Sequence, residues 1–118
     1  RLTGYAPVTD EQWRRLAEHE ARVQPNGKLK FGYDPAIGAA LAAAPVQDVD
    51  LWPLYDRIAC PTLLLRGADS NLLTPDTARE MTTRGPRAKL VEFAGVGHAP
   101  PLMAEDQIAA VRDFLVNA

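Results

Sequence analysis

The segment Pro61-Thr62-Leu63-Leu64-Leu65-Arg66-Gly67 constrains this chain more than any other. It is a short, continuous apolar run closed by glycine, with no alternation of polar and apolar residues. A strand buried on both faces reads this way, and such strands belong to parallel sheets covered by helices. The residues that follow fit that setting. Thr74-Pro75-Asp76 caps a helix running to about Arg84, and Gly85-Pro86 breaks it. Ala88 to Phe93 forms a second strand, Gly95-Val96-Gly97-His98 a loop, and Ala104 to Val116 a final amphipathic helix. That helix carries Ile108, Val111, Phe114 and Leu115 on one face. The order is strand–helix–strand–helix, and a crossover through a helix makes the two strands parallel. The class expected is therefore α/β, with two parallel strands and flanking helices.

The first part of the chain is different. Thr9-Asp10-Glu11-Gln12 is a capping box, in which Thr9 caps a helix and Gln12 reaches back. This helix is expected to run to about Val23, with Trp13, Leu16 and Ala17 on one face. Pro25-Asn26-Gly27 has turn chemistry, and Lys28 to Tyr33 reads as a short exposed strand. Asp34-Pro35 opens an alanine-rich helix that Pro45 stops near Ala44. Asp50 to Ile58 reads as a further short helix interrupted by Pro53. The division expected is a helical segment over 1–47 and the α/β portion over 48–118. Two strands cannot bury two helices and this first segment, so the sheet wants further strands on its inner edge. An uncovered parallel edge invites pairing with another copy, and a homo-oligomer is expected.

Composition narrows the partners. Formal net charge is −2 and no block of lysine or arginine stands out, which argues against nucleic acid and anionic membranes. The longest apolar stretch, Ala36 to Val46, contains Gly38 and Pro45 and is too short to span a bilayer. Arg1-Leu2-Thr3-Gly4 opens the sequence without the charged-then-apolar pattern of a signal peptide. A start without Met is what a fragment or processed product would show. Cys60 is the single cysteine, which rules out an internal disulfide and fits a reducing compartment, the cytoplasm. Two widely spaced histidines and one cysteine make no metal site, and no cofactor is expected.

Two motifs then stand in a telling order. Cys60-Pro-Thr-Leu-Leu-Leu-Arg-Gly-Ala-Asp-Ser-Asn-Leu-Leu-Thr-Pro75 is followed by Leu90-Val-Glu-Phe-Ala-Gly-Val-Gly-His98-Ala-Pro. Together they resemble the end of an α/β-hydrolase. In that superfamily the last strands are followed by loops that hold first the catalytic acid and then the histidine. The resemblance implies that residues from about 48 onward are the C-terminal portion of the fold. It further implies that 1–47 is a helical lid of the kind many of these enzymes place over a substrate pocket.

By this resemblance His98 is the catalytic histidine. A neutral imidazole takes a proton from the nucleophile and later returns it, while a carboxylate on the other ring nitrogen fixes the tautomer. The acid is either Asp69, the only carboxylate in its loop, or the position of Asn71, four residues before Pro75, where related sequences often carry the acid. Asp69 is the candidate preferred. The nucleophile is missing: Ser70 is the single serine, it lies inside the acid loop, and no Gly-x-Ser-x-Gly elbow occurs. The expected function is thus that of a hydrolase or acyltransferase acting on a small ester-like or apolar molecule. The 118 residues alone are expected to be inactive for want of a nucleophile and oxyanion hole. The competing reading is a non-catalytic binding module on the same scaffold, which Asn71 and the missing elbow favour. Outside the triad, His19 reads as a solvated face residue, Cys60 as a small core hydrophobe at the start of the buried strand, and Trp13, Trp52 and Tyr55 as packing residues.

Overall fold

The computed structural model describes residues 8–34, 36–43 and 48–117. The chain divides into two compact units, one spanning Thr9–Val49 and the other containing the residues from Asp50 onward.

In the first unit, helix α1 (Asp10–Glu20) opens on the expected capping box. The Gln12 amide N–H donates to the Thr9 hydroxyl at 3.2 Å, and the Thr9 amide N–H donates to Gln12 Oε1 at 2.9 Å. The helix is three residues shorter than its pattern suggests, because Ala21–Val23 is strand β1, paired antiparallel with β2 (Leu29–Phe31). The turn between them explains the change. The Gln24 N–H donates to the Lys28 carbonyl, the Lys28 N–H to Asn26 Oδ1, and Gly27 takes φ 76°, in the left-handed region that glycine tolerates. Closing this turn draws the end of the helical stretch into a hairpin. Helix α2 (Ala36–Ala43) follows, with the Asp34 carboxylate accepting from the Ala36 N–H at 2.9 Å. Pro35 and Pro45, expected to open and stop this helix, lie outside the described residues.

The second unit begins with the single turn α3 (Trp52–Tyr55), where Pro53 sits in the first turn rather than interrupting a longer helix. Then come β3 (Leu63–Gly67), α4 (Pro75–Thr83), β4 (Lys89–Phe93) and α5 (Glu105–Asn117). Strands β3 and β4 are parallel, in register from Leu63 opposite Lys89 to Gly67 opposite Phe93. The α/β class with two parallel strands and flanking helices is what the sequence indicated. Helix α4 starts on Thr74, whose hydroxyl accepts from the Thr77 N–H, with Pro75 in the first turn. Ala78, Ala88, Phe93 and Val96 are buried, and Leu65, Val91 and Ala110 pack around Phe93 and Val96.

Three expectations about burial are corrected. Leu63, Leu64 and Leu65 are half-buried, not sealed on both faces, because a sheet of two strands leaves them incompletely covered. Cys60 is exposed and precedes the strand, so it is no core residue. On α5 the buried residue is Gln107, while Ile108 and Leu115 of the expected apolar face remain exposed. With Leu102, Val111 and Val116 they line an open apolar groove. Trp52 and Tyr55 do pack: their rings meet edge-on at 5.6 Å, the Arg84 guanidinium lies 4.4 Å over Trp52, and the Tyr55 hydroxyl donates to the Met81 carbonyl at 2.7 Å. Burial raises the Tyr55 pKa. Arg84 also binds Asp56 and Glu80, and holds the Asp56 carboxyl below the usual range. No helix among the described residues is long and apolar enough to cross a membrane.

Candidate functional site

The site lies where the parallel strands end. The loop after β3 and the loop after β4 are knitted together by backbone bonds that extend the ladder past its last pair. The Ala68 N–H donates to the Phe93 carbonyl at 2.9 Å, and the Asp69 N–H to the Val96 carbonyl at 3.0 Å. The approach is so close that a Cβ on Gly67 would overlap the carbonyl oxygens of Gly97 and Val96. The glycine that closes the apolar run is therefore a contact between two backbones, and it fixes the distance between the two loops.

Arg66 holds the first loop in shape. Only 2% of it is exposed. Its Nε donates to the Leu73 carbonyl at 2.8 Å, Nη2 to the Ala68 carbonyl at 3.3 Å, and Nη1 pairs with Glu92 at 2.6 Å. A buried guanidinium is tolerated only where its donors are occupied, and here they bridge the start and end of the loop and the neighbouring strand. In the sequence alone Arg66 reads as part of the strand. The signal lay in a charged residue set between a triple leucine and a glycine, which cannot be sealed there without partners.

Within this frame Ser70 is the residue that meets His98. Ser70 Oγ and His98 Nδ1 are 2.9 Å apart. Ser70 is 9% exposed, its amide donates to the Gly67 carbonyl, and its Oγ accepts from the Leu73 N–H at 3.0 Å. The hydroxyl is thus pinned by its own turn before it reaches the imidazole. His98 is exposed, on a loop that continues through Pro100 and Pro101 to Leu102, whose φ of 54° places a bulky residue in a costly backbone region.

Asp69, the preferred acid, is placed one residue from Ser70, with its backbone fixed and its side chain exposed. Its carboxylate has no hydrogen-bond or ion-pair partner among the described residues, and Asn71 is likewise exposed. The loops are brought together, but the contact to the imidazole is made by the hydroxyl between these two candidates. In the sequence alone Ser70 lacks the elbow that would mark a nucleophile. Its three-residue spacing to Leu73, typical of a hydroxyl that closes a turn onto a nearby amide, was the available sign. His19 is exposed in the last turn of α1. Among the described residues no three or more His, Cys, Asp or Glu side chains gather where a metal ion could be held.

The comparisons agree with this architecture. A crystal structure of an α/β hydrolase from Novosphingobium aromaticivorans superimposes with a TM-score of 0.78 at 34% identity, over 95% of this chain and 40% of that one. A putative hydrolase from Rickettsia typhi gives a TM-score of 0.80 at 30% identity, over 98% of this chain and 38% of that one. The chain is thus similar to α/β hydrolases over nearly its whole length and has the architecture of the C-terminal part of their fold. A 3-hydroxybutyrate-oligomer hydrolase of Cupriavidus necator is 36% identical over 118 residues, 93% of this chain and 40% of that protein. A 3-dehydroquinate synthase of Xylella fastidiosa is 31% identical over 102 residues, but only 26% of that protein is covered. No family model matches. The chain therefore spans about two fifths of the length of its hydrolase relatives.

Proposed function

We infer that these residues supply the histidine end of the active site of a hydrolase that cleaves small esters, with His98 as general base and then general acid. The single observation that carries this reading is the position of His98: exposed at the carboxyl end of a parallel strand, with Nδ1 engaged by Ser70 at 2.9 Å and the other ring nitrogen, Nε2, left for chemistry. With its proton on Nδ1, the imidazole can take the proton of an attacking hydroxyl on Nε2 and deliver it to the leaving group. The nucleophile and oxyanion donors come from the rest of the fold, so these 118 residues alone should not turn over substrate. The name of the Cupriavidus relative suggests short hydroxyacid esters as the substrate class. By the resemblance, the segment over 1–47 would act as the lid that selects among them.

The test is hydrolysis of short-chain p-nitrophenyl esters and 3-hydroxybutyrate oligomers by the complete enzyme. Turnover is expected, and His98→Ala should reduce it by about 10³-fold or more. An active enzyme indifferent to His98→Ala would refute the assignment. The reading as a non-catalytic module draws on one observation, the Asp69 carboxylate, which stands beside Asn71 and has no partner among the described residues. Complete absence of turnover in the full protein would favour it.

A further inference from the structure

We propose that Ser70 is the positioning residue of His98, so that a neutral hydroxyl holds the imidazole where a triad would place a carboxylate. The inference rests on the assignment of His98 as general base.

Three observations support it. Ser70 Oγ is 2.9 Å from His98 Nδ1, whereas the Asp69 carboxylate has no partner among the described residues. The hydroxyl is held in place before it meets the ring, by the Leu73 N–H on Oγ and by the Ser70 N–H on the Gly67 carbonyl. The loop that carries it is fixed in turn by the buried Arg66, which bonds to the carbonyls of Ala68 and Leu73 on either side of Ser70. Ser70 is itself buried and has given one lone pair to Leu73, so it is not placed to attack a substrate. It acts through His98.

The chemistry of a hydroxyl sets the consequences. With the Leu73 N–H on one lone pair, Oγ keeps a second lone pair and one proton. It can accept from Nδ1–H, leaving Nε2 free as a base, or donate to a bare Nδ1, with the proton on Nε2. Ser70 therefore orients the ring in either tautomer and carries no charge to stabilise the imidazolium. A carboxylate at the same place would favour the productive tautomer and the cation together. The site as arranged is positioned but weakly polarised.

The complete enzyme tests this through a set of variants assayed for kcat and KM separately. Ser70→Ala should lower kcat about tenfold, the worth of one neutral hydrogen bond, with KM little changed. Ser70→Thr, which keeps the hydroxyl, should recover most of that loss, which a general loosening of the loop would not. Asp69→Asn should cost less than Ser70→Ala. A loss near 10⁴-fold in Asp69→Asn, the effect expected of a triad carboxylate, would overturn the proposal. So would a Ser70→Ala enzyme with unaltered kcat while His98→Ala is inactive, and in that case the assignment of His98 would stand. If His98→Ala is fully active, both fall. Should Ser70→Ala fail to fold, a crystal structure of the unaltered enzyme decides: Ser70 Oγ within hydrogen-bond distance of His98 Nδ1 supports the proposal, and any carboxylate in that place refutes it.

Discussion

In the unit that begins at Asp50, Phe93 and Val96 are buried and Arg66 is sealed among the loops they support, whereas in the Thr9–Val49 unit no described residue is buried. Val23, Leu29, Phe31 and Tyr33 of the hairpin region are all more than half exposed. The second unit is ordered by contacts between residues far apart in sequence: β3 against β4, Arg66 against Glu92, Ser70 against His98. The first is ordered by neighbours, through the capping box of α1, the Gln24–Lys28 turn and the Asp34 cap. Local bonds of this kind choose a conformation, but a lone helix or two-stranded hairpin is only marginally stable without an apolar face to bury. Chemistry that needs atoms fixed to within fractions of an ångström belongs on the packed unit, and the candidate site is there.

Two glycines sharpen this comparison. Gly67→Ala forces a methyl into the carbonyls of Gly97 and Val96, which belong to backbone and cannot swing aside. The strand ends must part, and the loss should exceed about 3 kcal/mol, read as a collapse of the urea midpoint or of soluble yield. Gly27→Ala meets nothing within 4 Å and has only the left-handed backbone to contend with. It should cost about 1 kcal/mol, by the same denaturation measurement. Equal effects at the two positions would dissolve the distinction between a unit built on packing and one built on local conformation.

The same distinction explains what could be read in advance. Leu63–Leu65 with Gly67, and Thr74 before Pro75, announced β3 and α4 because an apolar run and a capped proline each carry their structure in their own residues. The parallel pairing followed from the helix between the strands. The end of α1 did not, since Ala21–Val23 is as compatible with helix as with strand and the decision is made by the turn at Asn26-Gly27. Ser70 and Arg66 were missed for a third reason. Local signs mark both residues, but their partners across the fold do not follow from them: Glu92 stands opposite Arg66 on the neighbouring strand, and His98 reaches Ser70 because Gly67 lets the two loops close on each other. The half-burial of the leucines follows similarly, because a run of leucines states what a strand tolerates on its faces and not whether neighbours are there to cover it.

The smallest effect is also the sharpest check. Val23 is 75% exposed in β1, opposite Leu29, which is itself 70% exposed. Val23→Thr keeps the β-branched shape and the strand preference while replacing a methyl by a hydroxyl. If the hairpin face meets only water, that hydroxyl is hydrated at no cost, and the change in stability should stay within about 0.5 kcal/mol in either direction. A hydroxyl set against an apolar surface loses that hydration, and the penalty then rises to about 1–3 kcal/mol. Thermal denaturation of Val23→Thr beside the unaltered protein therefore reports whether the hairpin is a free surface or a covered one. A shift at the upper end would break the comparison, because the Thr9–Val49 unit would then owe its stability to burial as much as the other does.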